Sequence, residues 1–522
     1  MTKRRAACVS GRSAVLKMSH KEADEIAGQA GLDSDTKLPS AQDADRAGNE
    51  SKLAGGAVPV PESKANQVGT PGADSNSKET DNEFMKDIID ATTEGRVEVV
   101  RFLLPSVADP NARLGSSGAT LMYIAARGGW GQICAALLED PRVKPAQPNK
   151  RGFTPLFAAA LHGHVGAVQA LSSALAAKRG VDVTAGLANG FTPLHAAAQN
   201  DHDNVVDRLA MNPRVDINRR AKSGATAVFV AARKGAAKAL KVLLRFESVD
   251  PSKPTYAGNT PLFVASINGH LSCVRLLMSH PAVDVAGNGP DGCTPIWGAA
   301  TNNHLEILRV LLEDGTIYPD TPDKVRCAVV LSAQPGSHLV PVQDGNTPLL
   351  VAVENGHFEA AKLLVADTRV EPWRANNVNS TPFIAAACNG DMDIVEFLAA
   401  QAGTPQLLNI ADADGHTAFF MACCNGSLSV VRYLAARPDV EVQSFDPSGY
   451  SPFIIAAANG HLAVVELLAA DESRVTVGTP RVPGGPTALL VACEAGQAEV
   501  VRFLLSDERV DVSCNDHQVC NR

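Results

Sequence analysis

The chain has thirteen His, eleven Cys and 56 Asp or Glu residues, and their spacing decides whether they can act together. His-Glu-x-x-His, which sets two zinc ligands and a base on one helix face, is absent. So is the phosphate cradle Gly-x-x-x-x-Gly-Lys, since no Gly is followed by Lys. Asp412-Ala-Asp414-Gly415 carries part of a calcium loop, but that register puts Ile410 at the first ligand and Met421 at the last. His162 and His164 are two apart and so do not share a helix face. The cysteines are odd in number and lack a Cys-x-x-Cys pair, which fits free thiols in a reducing compartment. Cys388, Cys423, Cys424 and Cys493 read as small buried hydrophobes. Cys514 and Cys520 are the thiols expected to react, and Cys520, third from the end, makes no prenylation signal. No metal, cofactor or catalytic residue is expected.

Six of the histidines obey another rule. His164, His202, His270, His304, His357 and His461 each follow a turn at the same place in a recurring block. A repeated slot predicts a repeated structural role, a hydrogen bond to the neighbouring loop. The block is clearest in Gly258-Asn-Thr-Pro-Leu-Phe-Val-Ala-Ser-Ile-Asn-Gly-His-Leu-Ser-Cys-Val-Arg-Leu-Leu277. Its Thr recurs, once as Ser, at 120, 154, 192, 226, 260, 294, 347, 381, 417, 451 and 487, mostly 34 residues apart. Such a period means a repeat architecture. Thr followed by Pro predicts a helix start, because the hydroxyl caps free N–H groups and Pro lacks one. Seven of the eleven blocks keep Pro, three have Ala and one has Leu121. A small pair such as Ala197-Ala198 or Ala386-Ala387 follows, allowing close helix approach. The helix should stop at a Gly such as Gly235 or Gly426, replaced twice by Asp201 and Asn303, which also tolerate the left-handed conformation. Apolar residues at helical spacing, as in Val464, Val465 and Leu468, predict a second helix.

Gly190-Phe-Thr-Pro-Leu-His-Ala-Ala-Ala198 and its copies resemble the ankyrin repeat over roughly residues 115–513, and more weakly 84–113. The tetratricopeptide repeat has the same period but expects Trp and Tyr landmarks that are missing here. The resemblance implies an all-α solenoid of stacked helix-turn-helix units joined by hairpin-like loops. Three departures stand out. The period is mostly 34, with the extra residue in segments such as Asp140-Pro-Arg-Val and Asn212-Pro-Arg-Val-Asp. The family's helix-start His survives only as His195, its slot elsewhere holding residues such as Phe157, Trp297 and Ile384. One gap is 53 residues.

The expected organisation is a disordered tail over 1–81, an array of about twelve units over 82–513 and a tail over 514–522. The first unit is degenerate and serves as a cap. The tail has no Phe, Trp or Tyr, so it cannot bury enough apolar surface to fold. Its first 21 residues are basic without an acid, as in a transit or nuclear import segment or a solvated tail. The long spacing from 154 to 192 predicts a lengthened second helix through Ser173–Arg179. The insertion at about 316–343 is either a binding loop or a tolerated surface insertion. No run of about 18 apolar residues occurs, so no membrane span is expected. The net charge of −9 argues against a general nucleic-acid binder.

By resemblance the array is a non-catalytic, monomeric, cytoplasmic scaffold that binds a protein or extended peptide on its concave side. The alternative is a regulatory array whose enzyme or channel part is supplied elsewhere, which the abrupt end after Leu505 suggests. The variable residue before each Thr is the natural contact: Phe153, Phe191, Asn259, Asn346, His416 and Tyr450, with Phe153, Phe191 and Tyr450 as aromatic anchors. Lys150, Arg151 and Lys222 make the early rim basic, and Asp291, Asp344, Asp412 and Asp414 make the later rim acidic. The expected partner has the opposite polarity along its length.

Overall fold

The computed structural model describes residues 76–177, 185–285, 289, 292–321, 345–471, 475, 477 and 486–510. The tail up to residue 75, most of the insertion (322–344), the end after 510, and Asp291 and Asp344 lie outside the described residues. The compact unit Lys78–Arg522 holds the repeats. The first described helix begins at Asn76, inside the segment expected to be unstructured, and runs to Thr93, followed by Val97–Leu103. Eleven further helix pairs follow among the described residues: Leu121–Arg127 with Gly131–Glu139; Pro155–Leu161 with Val165–Ala177; Pro193–Gln199 with Asp203–Ala210; Ala227–Lys234 with Ala237–Leu243; Pro261–Ile267 with Leu271–Met278; Pro295–Thr301 with Leu305–Glu313; Pro348–Glu354 with Phe358–Val365; Pro382–Asn389 with Met392–Ala400; Ala418–Asn425 with Leu428–Ala435; Pro452–Ala458 with Leu462–Ala469; and Ala488–Glu494 with Ala498–Ser506. From the second unit on, each first helix packs on the first helices of its neighbours, and second helices pack on second helices. This is the all-α repeat fold that the resemblance implies.

Each first helix after the first unit starts at its Thr or Ser. The hydroxyl oxygen accepts the backbone N–H three residues on, as from Phe157 to Thr154 and Ile384 to Thr381, both at 3.2 Å. Pro155 and its equivalents occupy the next position, where the missing N–H costs nothing. In the fourth unit His195 returns the favour: Thr192 donates its N–H to Nδ1 at 3.2 Å, and Nε2 meets the Ala225 carbonyl of the next unit at 3.0 Å. Full burial holds this imidazole neutral, its pKa pushed down to about 4. From the third to the eleventh unit Phe, Trp, Leu or Ile in that slot is otherwise buried, while Tyr123 and Leu490 in the second and twelfth are half-buried, and packing replaces the polar link.

The turn to the second helix explains the histidines. Gly235 ends its helix at φ +73°, and Asp201 and Asn303 take the same conformation at +58° and +57°. A side chain on Gly235 would also strike the His270 ring of the next unit at 2.6 Å. That ring donates from Nε2 to the Arg233 carbonyl at 3.0 Å. The other five histidines of the slot make the same bond one unit back, at 2.9–3.1 Å. An Asn two residues earlier often joins in: Asn302 and His304 both donate to the Ile267 carbonyl, at 2.8 and 3.1 Å. The last carbonyls of one first helix are therefore satisfied by the next unit.

The thirty-fourth residue has a comparable use. Arg142 pairs with Asp140 at 2.7 Å and donates to the Val107 and Leu104 carbonyls of the preceding unit at 2.9 and 3.2 Å. Arg369 repeats this with Asp367 and the Ile317 and Leu312 carbonyls, and Arg509 with Asp507 and Ala469. The guanidinium fork suits the carboxylate and the negative end of the preceding second helix together. The side-chain hydrogen bond from the arginine holds Asp140, Asp367 and Asp507 below the usual carboxylate range. The second helix of the third unit, thirteen residues long, accommodates the longer spacing there as far as Ala177.

Candidate protein-interaction surface

The loop before each first helix is a tight hairpin tip. The residue five before the capping Thr receives the chain back: Asn149 donates its N–H to the Phe153 carbonyl at 3.0 Å, and its side-chain oxygen accepts the Phe153 N–H at 2.9 Å. Asn376, Asp412 and Asp446 do the same with Ser380, His416 and Tyr450. Such side chains mimic a backbone turn. Neighbouring tips are joined by main-chain bonds, from Lys150 N–H to Ser117 C=O at 3.0 Å, Lys222 to Asn189 at 2.8 Å, Tyr256 to Ser223 at 3.1 Å and Ala413 to Val378 at 2.9 Å. The tips thus form a ladder that fixes which side chains project.

That ladder corrects the expected contact residues. Phe153 and Phe191 are only 8 % and 4 % exposed. Each folds back onto the residue four places on: Phe153 lies 5.2 Å from Phe157, edge to face, and Phe191 lies 5.1 Å from His195. They belong to the core and have little ring surface to offer a partner. Asn346 is buried too, its side-chain oxygen accepting Asn376 Nδ2 at 2.9 Å. Asn259 is half-buried and closes its tip through the main chain, donating its N–H to the Thr255 hydroxyl at 3.2 Å. Tyr450 is half-buried, and burial pushes its phenol upward. His416 stacks on Phe420 at 4.5 Å, between the carboxylates of Asp412 at 3.4 Å and Asp446 at 3.9 Å. The hydrogen bond that its ring donates to Asp412 raises its pKa. Lys150, Arg151 and Asp414 are exposed.

The residues that project stand three and four places before the capping Thr, at the crest of the turn: Lys150 and Arg151, Lys222 and Ser223, Asp414. Tyr256, 68 % exposed with the Arg220 guanidinium 4.8 Å from its ring, and Val378 occupy the same crest. Their signal in the sequence was the Asx or Thr at the base of the tip, which sets the register of the turn. Beside the tips, the residue seven after each capping Thr is half-buried or exposed in most units, as at Arg127, Arg233, Glu354 and Glu494.

Among the described residues no group of three or more His, Cys, Asp or Glu side chains is placed to hold a metal ion, and no helix is long and apolar enough to cross a membrane. Comparison with known proteins agrees with the architecture. The model described as Ankyrin repeats (3 copies) matches residues 88–179, 173–255, 231–323, 320–407 and 404–479, and the model Ankyrin repeat matches 484–517. The chain is similar to Alpha-latrocrustotoxin-Lt1a of Latrodectus tredecimguttatus, 31 % identical over 109 residues. That match covers 21 % of this chain and 7 % of the toxin, so it bears on the repeats alone. With matches along nearly all of the array and the capped, Gly-turned pairs that produce them, the chain belongs to the ankyrin-repeat family.

Proposed function

Ankyrin repeats are a protein–protein interaction module, and we propose that this chain is a non-catalytic scaffold that binds a protein or extended peptide along its tips and first helices. The observation that carries this is the tip ladder: main-chain bonds between neighbours spend the backbone on rigidity and leave crest side chains, Lys150, Arg151, Lys222, Tyr256, Val378 and Asp414, presented at a fixed pitch. A pre-ordered surface loses little entropy on binding. The histidines that an enzyme would use are committed to repeat contacts, which supports a non-catalytic role. The buried thiols, with Cys134 pushed up to about 12 by desolvation, fit the proposed cytoplasmic setting.

The test is to recover partners with the full chain and map the contact by hydrogen exchange. Protection at the tips, weakened by Tyr256→Ala with Lys222→Ala at unchanged helicity, is the expected result. Protection confined to the second helices would overturn the reading.

A further inference from the structure

The tip and first-helix surface is sorted by charge, and the sorting is confined to it. Take the stretch from five residues before each capping Thr to nine after. In the second to seventh units it holds six cations: Arg127, Lys150, Arg151, Lys222, Arg233 and Lys234. The acids there are two. Asp201 sits in a turn, its carboxylate accepting the Ala239 N–H at 2.8 Å, and Asp291 lies outside the described residues. In the eighth to twelfth units the same stretch holds no Lys or Arg, and its acids are Glu354, Asp414 and Glu494, with Asp412 and Asp446 at the tip bases, where they accept backbone N–H groups, and Asp344 outside the described residues.

The second helices, on the opposite side of every pair, mix the signs instead. Arg101 pairs with Glu98, Arg309 with Glu306, Lys362 with Glu359 and Arg502 with Glu499, each one turn apart. Packing places no demand on which sign stands at an exposed crest, and mixed signs favour solubility. Segregation on one face alone therefore points to what that face meets.

We propose, resting on the reading above, that the surface takes one extended polypeptide whose charge reverses along its length, an acidic stretch lying over the second to fifth units and a basic stretch over the eighth to twelfth. The change of sign selects the class of ligand. A nucleic acid presents phosphate throughout and would be attracted at one half and repelled at the other. A polypeptide can change sign as the surface does. The crest Tyr256, with Arg220 against its ring, stands beyond the early cations as a contact that does not depend on charge. The sixth unit's tip and first helix, which carry no Asp, Glu, Lys or Arg, leave a neutral interval between the two stretches.

The test uses the full chain and two labelled peptides of identical composition. One carries a block of Glu and a block of Lys held apart by a proline-rich spacer, which stays extended. The other alternates Glu and Lys on both sides of the same spacer. Fluorescence anisotropy at low salt should show the block peptide binding at least about tenfold tighter, the difference shrinking as added salt shortens the screening length. The variant Lys150→Glu, Lys222→Glu, Lys234→Glu alters only exposed residues and should abolish that preference while its urea midpoint stays put. Equal affinity for the two peptides, a preference that survives the charge reversal, or tighter binding of a single-stranded oligonucleotide of the same length would each overturn the proposal. None of these results touches the broader reading, which falls only if a captured partner protects the second helices alone.

Discussion

His416 shows how far one residue's chemistry could be read in advance. Its place before Thr417 suggested a contact, yet its ring lies flat on Phe420 and its two nitrogens face carboxylates of successive tips. The aromatic residues in the equivalent position, Phe153 and Phe191, turn inward in the same way. The misjudgement has a physical root: variability along a repeat marks freedom from the shared core, but a side chain four residues before another on a capped helix is held over it. What the sequence does contain is the Asx residue at the tip's base, which accepts two backbone N–H groups and so fixes the crest. His416 also titrates in a known direction. The Asp412 hydrogen bond, opposed by burial and helped by Asp414 and Asp446, raises its pKa above the ordinary 6.5. A raised folded-state value adds stability that is complete below the unfolded pKa and lost as pH climbs through the folded one. Replacing His416 with Phe, the residue other tips use here, should therefore leave urea stability least affected near pH 9. Between about pH 5.5 and 8.5 the parent should lose roughly 0.5–1 kcal/mol relative to this variant. A flat difference across that range would show that the carboxylates do not hold the charged ring.

At the scale of the element, the helix pairs were legible because each rests on local chemistry. Caps, a left-handed stop and an apolar stripe all act within a few residues. The bonds between units were only half legible. That six histidines shared a role followed from their common slot, but the carbonyl they reach belongs to another unit, and no local pattern names it. The Gly–His contact ties both levels together. At Gly235 two demands coincide: φ is +73°, and the His270 ring occupies the space of a side chain. Gly235→Ala should cost about 2–3 kcal/mol, of which only the backbone part, about 1 kcal/mol, depends on conformation alone. His270→Ala removes the steric part but also the bond to the Arg233 carbonyl. In that background Gly235→Ala should cost only about 1 kcal/mol, a coupling of 1–2 kcal/mol in a double-mutant cycle. Strict additivity would mean that the ring moves aside freely and that the glycine serves its own backbone alone.

For the whole molecule, the question is how far neighbouring contacts carry cooperativity, since each pair leans on the next and on nothing distant. The period of 34 was legible as a departure from the family, while its purpose was not: the added residue places an Asp–x–Arg clasp on the end of the preceding second helix. Its most consequential copy spans the insertion. Arg369 reaches back to the Ile317 and Leu312 carbonyls at 2.9 and 2.8 Å, and Arg374 meets Asp320 at 3.1 Å. These bonds, with His357 on the Thr301 carbonyl at 3.0 Å, join the seventh and eighth units where the connecting chain is longest. Arg369→Ala removes the donor to the Leu312, Asp314 and Ile317 carbonyls and leaves Asp367 without its cation, at a cost of about 1–3 kcal/mol. Because the loss falls on one joint, hydrogen exchange should show the eighth unit and its successors opening separately from the second to sixth, whose protection stays at the parent level. The clasp also has a pH signature. Asp367 titrates below the usual carboxylate range because Arg369 donates to it, so its contribution is present above that range and is lost as pH falls through the lowered value. Acid should therefore weaken this joint in the parent and leave the variant's joint unchanged. If Arg369→Ala lowered protection evenly from the second unit to the twelfth, the array would be a single cooperative block, and the insertion would mark no boundary in it.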